Sequence, residues 1–175
     1  MDISKISSGA KLPDEFNVII EVSLNSNPVK YEFDKESGAL FVDRFIGTAM
    51  HYPCNYGFIP HTLSDDGDPV DVLVVSDLPI IPGAVIVVRP IGVLIMEDES
   101  GIDEKILAVP ISKLTTFYDK INSYEDLPEI LINKITNFFE NYKKLEKNKW
   151  VKLKGWEGIN QAKAIISAGK QNYKA

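Results

Sequence analysis

Four aspartates fall within one short segment, Asp65-Asp66-Gly67-Asp68-Pro69-Val70-Asp71. Carboxylates so close repel one another, by about 4 kcal/mol for a pair about 4 Å apart at an effective dielectric of about 20. A surface turn relieves the repulsion by spreading the charges into water, and Gly67 and Pro69 are turn residues. Asp71, however, sits inside the apolar run Val70 to Val75, which reads as a core strand. The turn therefore holds Asp66, Asp68 and Asp71 near one another where they cannot all disperse. An oxygen-only set of this kind suits a hard divalent cation such as Mg²⁺. An EF-hand loop does not fit, because counting from Asp66 the glycine position is Asp71 and the closing glutamate position is Asp77.

A second acidic run, Glu97-Asp98-Glu99-Ser100-Gly101-Ile102-Asp103-Glu104, ends on Lys105. Alone it reads as an exposed hairpin loop. Beside the first run it gains meaning, since several Mg²⁺ ions need carboxylates from more than one loop. Lys30, Arg44, Tyr52, Tyr56, Lys105, Tyr142 and Lys143 supply cations and phenols suited to phosphate oxygens. Each also has a plainer reading: Tyr142 as a core residue on an apolar helix face, Lys143 as a favourable charge at a helix C-terminus. Other chemistries lack their residues. No Gly-rich strand–turn–helix loop for a nucleotide is present. His51, Cys54 and His61 are too few for a structural zinc site, and Cys54 reads as a packed thiol.

The elements that must carry these groups follow from the apolar patterning. Strands are expected at Phe16 to Leu24, with Val18, Ile20 and Val22 on one face and Glu21 opposite, and at Val29 to Asp34. A hairpin of these two would place Glu21, Lys30 and Glu32 on one polar face. Further strands are predicted at Ala39 to Ile46, Val70 to Val75, Ala84 to Arg89, Ile91 to Met96, Lys105 to Ile111 and Trp150 to Lys154. Ser123 and Asp126 resemble a capping pair for a helix whose buried face is Leu131, Ile135, Phe138, Tyr142 and Leu145. A last helix spans about Ile159 to Ala168, with Gly169 as its C-terminal cap. Strands and turns followed by helices give an α+β fold, expected as a single domain over residues 1–175.

The 175 residues carry a net charge of −6, which disfavours a nucleic-acid backbone as partner. One cysteine permits no internal disulfide, and a reducing, cytoplasmic setting is the simplest expectation. The apolar stretch Leu78 to Met96 is broken by Pro79, Pro82, Gly83, Arg89, Pro90 and Gly92, so it reads as buried strands and not as a membrane span.

With these residues in view, the sequence resembles the family I soluble inorganic pyrophosphatases in their short prokaryotic form, from about Leu12 to Trp156. The most specific element is Asp66-Gly67-Asp68-Pro69-Val70-Asp71. Around it stand Ile20-Glu21, Lys30-Tyr31-Glu32, Val42-Asp43-Arg44, Tyr52-Pro53-Cys54-Asn55-Tyr56-Gly57, the Asp98, Asp103 and Lys105 loop, Phe138 to Lys143, and Trp150-Val151-Lys152. The resemblance implies a small closed five-stranded OB-like β-barrel flanked by helices, and metal-dependent hydrolysis of pyrophosphate to two phosphates.

It also implies roles. Asp66, Asp71 and Asp103 would hold the tightest metal, with Asp71 bridging to the next. Asp98 and Asp103 would hold metals arriving with substrate, assisted by Glu21 and Glu32. Lys30, Arg44, Tyr56, Lys105, Tyr142 and Lys143 would grip the phosphoryl groups, and Asp68 would act as general base. Several Mg²⁺ ions per site and a homohexamer are further implications. Asn137 and Asn141 stand where members of the family can carry histidines, which bears on subunit contacts and not on the site. The alternative reading is a non-catalytic metal-binding or single-stranded nucleic-acid-binding barrel; the latter calls for a basic groove that this acidic chain does not offer.

Overall fold

The structure, a computed structural model, describes residues 2–174. Eight strands precede or flank two α-helices: β1 (Phe16–Val22), β2 (Val29–Phe33), β3 (Leu40–Phe45), β4 (Asn55–Phe58), β5 (Asp71–Val74), β6 (Val85–Asp98), β7 (Gly101–Pro110), α1 (Glu129–Asn141), β8 (Val151–Glu157) and α2 (Ile159–Asn172). Five strands form a ring in the order β1-β4-β5-β7-β6, closed by pairing of β6 back onto β1. The expected α+β fold with a small closed five-stranded sheet is thus present. β8 extends the ring on β6, and β2 and β3 form a separate two-stranded sheet.

The ring strands are buried on both faces, which is why they read as near-continuous apolar runs. Leu73, Leu107 and Val109 pack in one cluster with Ile135, Phe138 and Phe139 of α1. Their sequence neighbours Val72, Val74, Ile106 and Ala108 pack in a second cluster with Ala162 and Ile166 of α2. Period-two alternation thus divides each strand between the two helices. β4 can lie against β1 only because Gly57 lacks a side chain: a Cβ there would stand 2.0 Å from the Ile19 carbonyl oxygen.

Several expectations are corrected. The predicted strands Ala84 to Arg89 and Ile91 to Met96 are one long strand, β6, with a register shift between Pro90 and Gly92. Proline and glycine there bend a strand and do not end it, so its first part pairs with β1 and its second with β8. β2 pairs with β3 and not with β1, so the polar face proposed for Glu21, Lys30 and Glu32 does not come from a β1–β2 hairpin. A register shift between Ile20 and Val22 sends Val22 to the α1 cluster, away from Val18 and Ile20. Glu21 sits at that irregularity.

The Ser123 and Asp126 capping box is real but closes a short 3₁₀ turn, Tyr124–Asp126; α1 then starts at Glu129 after Pro128. α1 ends at Asn141, which leaves Leu145 outside its apolar face and 70% exposed. Gly169 lies inside α2 and does not cap it; a Cβ there would stand 2.5 Å from Val70 Cγ2. Strand β4 was not anticipated, because its Asn-Tyr-Gly-Phe sequence follows Pro53 and contains Gly57. The second acidic run is strand almost throughout, since β6 and β7 pair as far as Asp98 and Gly101.

Candidate active site

Sheet register explains the centre of the site. β5 and β7 run parallel with Asp71 beside Lys105, and Asp103 lies two residues before Lys105 on the same face. Lys105 is 4% exposed, and its Nζ donates to Asp71 Oδ2 and, at 2.6 Å, to Asp103 Oδ1. Burial works against its charge, yet Asp71 and Asp103 hold its pKa well above the ordinary lysine value. The ammonium thus stands in the middle of a carboxylate pair that the interior could not otherwise accept.

The rim repeats the arrangement. Lys143, just past α1, donates to Asp98 Oδ2 at 2.6 Å and lies 3.6 Å from Glu99. Lys30 and Arg44 are register partners on β2 and β3; Lys30 pairs with Glu32 and lies 3.7 Å from Asp43. Arg44 donates to Asp43 at 2.6 Å and to Glu146 at 3.1 Å. Asp66 and Asp68 stand on the exposed turn, fixed by donation from Asp68 N to Asp66 Oδ1 at 3.0 Å and from Ser64 N to the Asp68 carbonyl at 2.7 Å. Lys35 reaches Asp68 Oδ1 at 3.2 Å.

The thirteen residues to which the resemblance gives roles all line one cavity of about 320 Å³, and Tyr52 lines it as well. The same cavity includes Lys35, Asp43, Glu99 and Lys149, which sequence reasoning did not select. Asp43 was visible only as a neighbour of Arg44; the others had no signal beyond charge. Nine carboxylates and six cationic side chains line it, a formal excess of three negative charges, and no histidine or cysteine takes part. His51, Cys54 and His61 lie elsewhere. Burial pushes the Cys54 thiol up to about 12, as befits a packed and unreactive group.

The donor set fits hard divalent cations: it is all oxygen, and it carries excess negative charge. Among the described residues no three carboxylates converge as a ready-made ligand group; Asp71, Asp103 and Asp98 are instead paired with Lys105 and Lys143. Partial loss of solvent around Asp66, reinforced by the charges of Asp103 and Asp71, raises its carboxyl above the ordinary range. A cation arriving there would relieve that repulsion. Burial also keeps Tyr56 and Tyr142 well above the usual phenol value, so both stay protonated donors.

Glu21 is a strongly perturbed carboxyl. Burial raises it to about 8; donation from Phe33 N to its Oε1 at 2.9 Å opposes the rise, and the charge of Asp71 adds to it. Between pH 4.5 and about 8 the folded chain keeps a proton that the unfolded chain has released, so stability falls as pH rises across that window. Glu21→Gln, which retains the acceptor for Phe33, is expected to match the parent at pH about 4 and to exceed it by about 3 kcal/mol at pH about 9. Denaturant unfolding of metal-free protein reads this directly, and equal offsets at both pH values would refute the assignment.

Comparison with known proteins agrees with this geometry. The sequence profile described as Inorganic pyrophosphatase matches residues 18–174. The chain is 62% identical over 169 residues to the inorganic pyrophosphatase of Rickettsia bellii, covering 97% of this chain and 96% of that one. It is 58% identical over 174 residues to that of Agrobacterium fabrum, covering 99% and 98%. Among solved structures, an inorganic phosphatase from Anaplasma phagocytophilum superposes with a TM-score of 0.96 at 54% identity, covering 98% of this chain and all of that one. The inorganic pyrophosphatase from Thermus thermophilus superposes at 0.93 with 41% identity over the full length of both. On sequence and fold alike, the chain belongs to the inorganic pyrophosphatase family.

Proposed function

We propose that the chain hydrolyses pyrophosphate to two phosphates in this cavity, with Asp68 as the general base. The observation that carries the reading is the interleaving of charges: Lys105 stands against Asp71 and Asp103, Lys143 against Asp98 and Lys30 against Glu32, so that cations suited to phosphoryl oxygens alternate with carboxylates suited to metal ions. Several divalent ions, Mg²⁺ by preference, would be held by Asp66, Asp71, Asp98 and Asp103 with help from Glu21 and Glu32. When bound, such ions lower the pKa of a coordinated water toward neutrality and withdraw charge from the phosphates.

The chain's own residues do the rest. Lys105, Lys143, Lys30 and Arg44 exchange their carboxylate partners for phosphoryl oxygens, which neutralises charge on the leaving phosphate. Tyr56 and Tyr142 donate hydrogen bonds from fixed, buried positions and so orient the phosphoryl groups for in-line attack. Asp68, held on the turn at the rim, takes the proton of the attacking water at a carboxylate oxygen. Asp66, 3.0 Å from the Asp68 amide nitrogen, fixes the angle at which that carboxylate enters.

The test is phosphate release from pyrophosphate with Mg²⁺, with Mn²⁺ and after chelation. Rapid release with Mg²⁺ that chelation abolishes is expected; no release from folded, metal-loaded protein would overturn the proposal. We also place the chain in the cytoplasm, as one domain in a homohexamer, with Phe41 and Phe45 of β3 among the exposed apolar side chains available to subunit contacts. A solution mass of a single chain by light scattering would remove the hexamer. No helix among the described residues is long and apolar enough to cross a membrane.

A further inference from the structure

Behind the turn that carries Asp68 lies a second cavity, of about 540 Å³, within the range of small-molecule sites. Its walls include Phe58, Pro60, Leu63 and Tyr173, and the rings of His61 and Tyr173 meet edge to face at 5.2 Å. Lys35 and Lys174 line it as well, and among the described residues no carboxylate does. In a chain with a net charge of −6, an aromatic cavity whose ionised side chains are all cationic selects for anions. His61 holds a left-handed backbone (φ 56°), which fixes its ring at this wall at a cost in strain. Lys35, Phe58 and Pro69 also line the catalytic cavity, so the two spaces share a wall.

We propose that this cavity is a second ligand site, for small aromatic anions: compounds whose ring packs against Tyr173 and His61 and whose carboxylate, sulfonate or phosphate pairs with Lys35. Most of its lining lies outside the catalytic cavity, the two sharing Lys35, Phe58 and Pro69. Lys35 is the one charged group common to both. An anion in the rear cavity competes with Asp68 for the same ammonium.

The probe is anilinonaphthalene sulfonate, an aromatic anion whose fluorescence rises on entering an apolar site, titrated into the full chain with Mg²⁺ present. Saturable binding of one molecule per chain is expected. Leu63→Trp, which fills the cavity, and Tyr173→Ser, which opens it at an exposed position, should each weaken binding about tenfold. Lys35→Met should weaken it about threefold by removing the charge partner. Phe117→Ser, at an exposed apolar position outside both cavities, should leave it unchanged. Non-saturable binding, binding indifferent to both Leu63→Trp and Tyr173→Ser, or loss in Phe117→Ser would overturn the proposal.

Discussion

Asp68→Asn is expected to lower kcat for pyrophosphate by about 10²–10⁴, the usual contribution of a positioned general base. Asparagine matches aspartate in size, and the turn is held by donation from Ser64 N to the Asp68 carbonyl and from Asp68 N to Asp66 Oδ1, neither of which involves the Asp68 side chain. The fold and the neighbouring carboxylates should therefore survive the change, and what is lost is the ability to accept a proton. Two measurements separate this role from metal ligation. Calorimetric titration with Mg²⁺ should give nearly the parent affinity for Asp68→Asn but a weaker one for Asp66→Asn. KM should move little in Asp68→Asn, because the base acts on the attacking water and not on the bound phosphates. Activity within about threefold of the parent would remove Asp68 from the role of base.

The local parts of this site were legible because chemistry and sequence coincide there. Asp66, Asp68 and Asp71 are neighbours in the chain, and their mutual repulsion is plain without a structure. Asp103 reads as part of a loop that ends on Lys105, and only the pairing of β7 with β6 as far as Gly101 puts the two on one strand face. What could not be read is register between distant strands. Nothing in the sequence places Asp71 beside Lys105 in a parallel pair, yet that pairing creates the buried triad. The same holds for Arg44 and Glu146, which meet across 102 residues, and for Lys35 with Asp68 across 33.

Proline and glycine mislead for a related reason, since locally they read as ends of strands. In β6 they mark a bend within a strand, and in β4 Gly57 marks close approach to β1. Both are tertiary requirements that overrule the local meaning of those residues. Glu21 shows the gain from such an irregularity. Plain alternation along β1 sets its side chain opposite Val18 and Ile20, on the face of Ile19, which is fully buried. At the register shift it instead meets the backbone of β2 through Phe33, which ties the small β2–β3 sheet to the ring.

Lys105→Met gives the second large effect, on stability. Methionine fits the length of the lysine stem, so packing is roughly kept while the ammonium disappears. Asp71 and Asp103 then face each other, partly buried, without the charge that separates them. Removing one partner of a buried ion pair costs about 3–5 kcal/mol. In the metal-free variant at pH about 8 a loss of that size is expected by denaturant unfolding.

Two further readings identify the cause. In the variant the pair can escape repulsion by binding a proton, so its folded-state pKa lies above the unfolded value. The penalty is then present above that pKa and relieved as pH falls, so the loss should shrink by pH about 5. A divalent cation provides the missing charge by another route, so Mg²⁺ should stabilise Lys105→Met more than it stabilises the parent, in which the ammonium must first be displaced. A loss below about 1 kcal/mol at pH about 8, or one that neither acid nor Mg²⁺ reduces, would show that the triad is not held together by its charges. If both restore the variant, the ammonium in the ligand-free protein holds ground that a metal ion can take over, and the same carboxylates serve folding in one state and catalysis in the other.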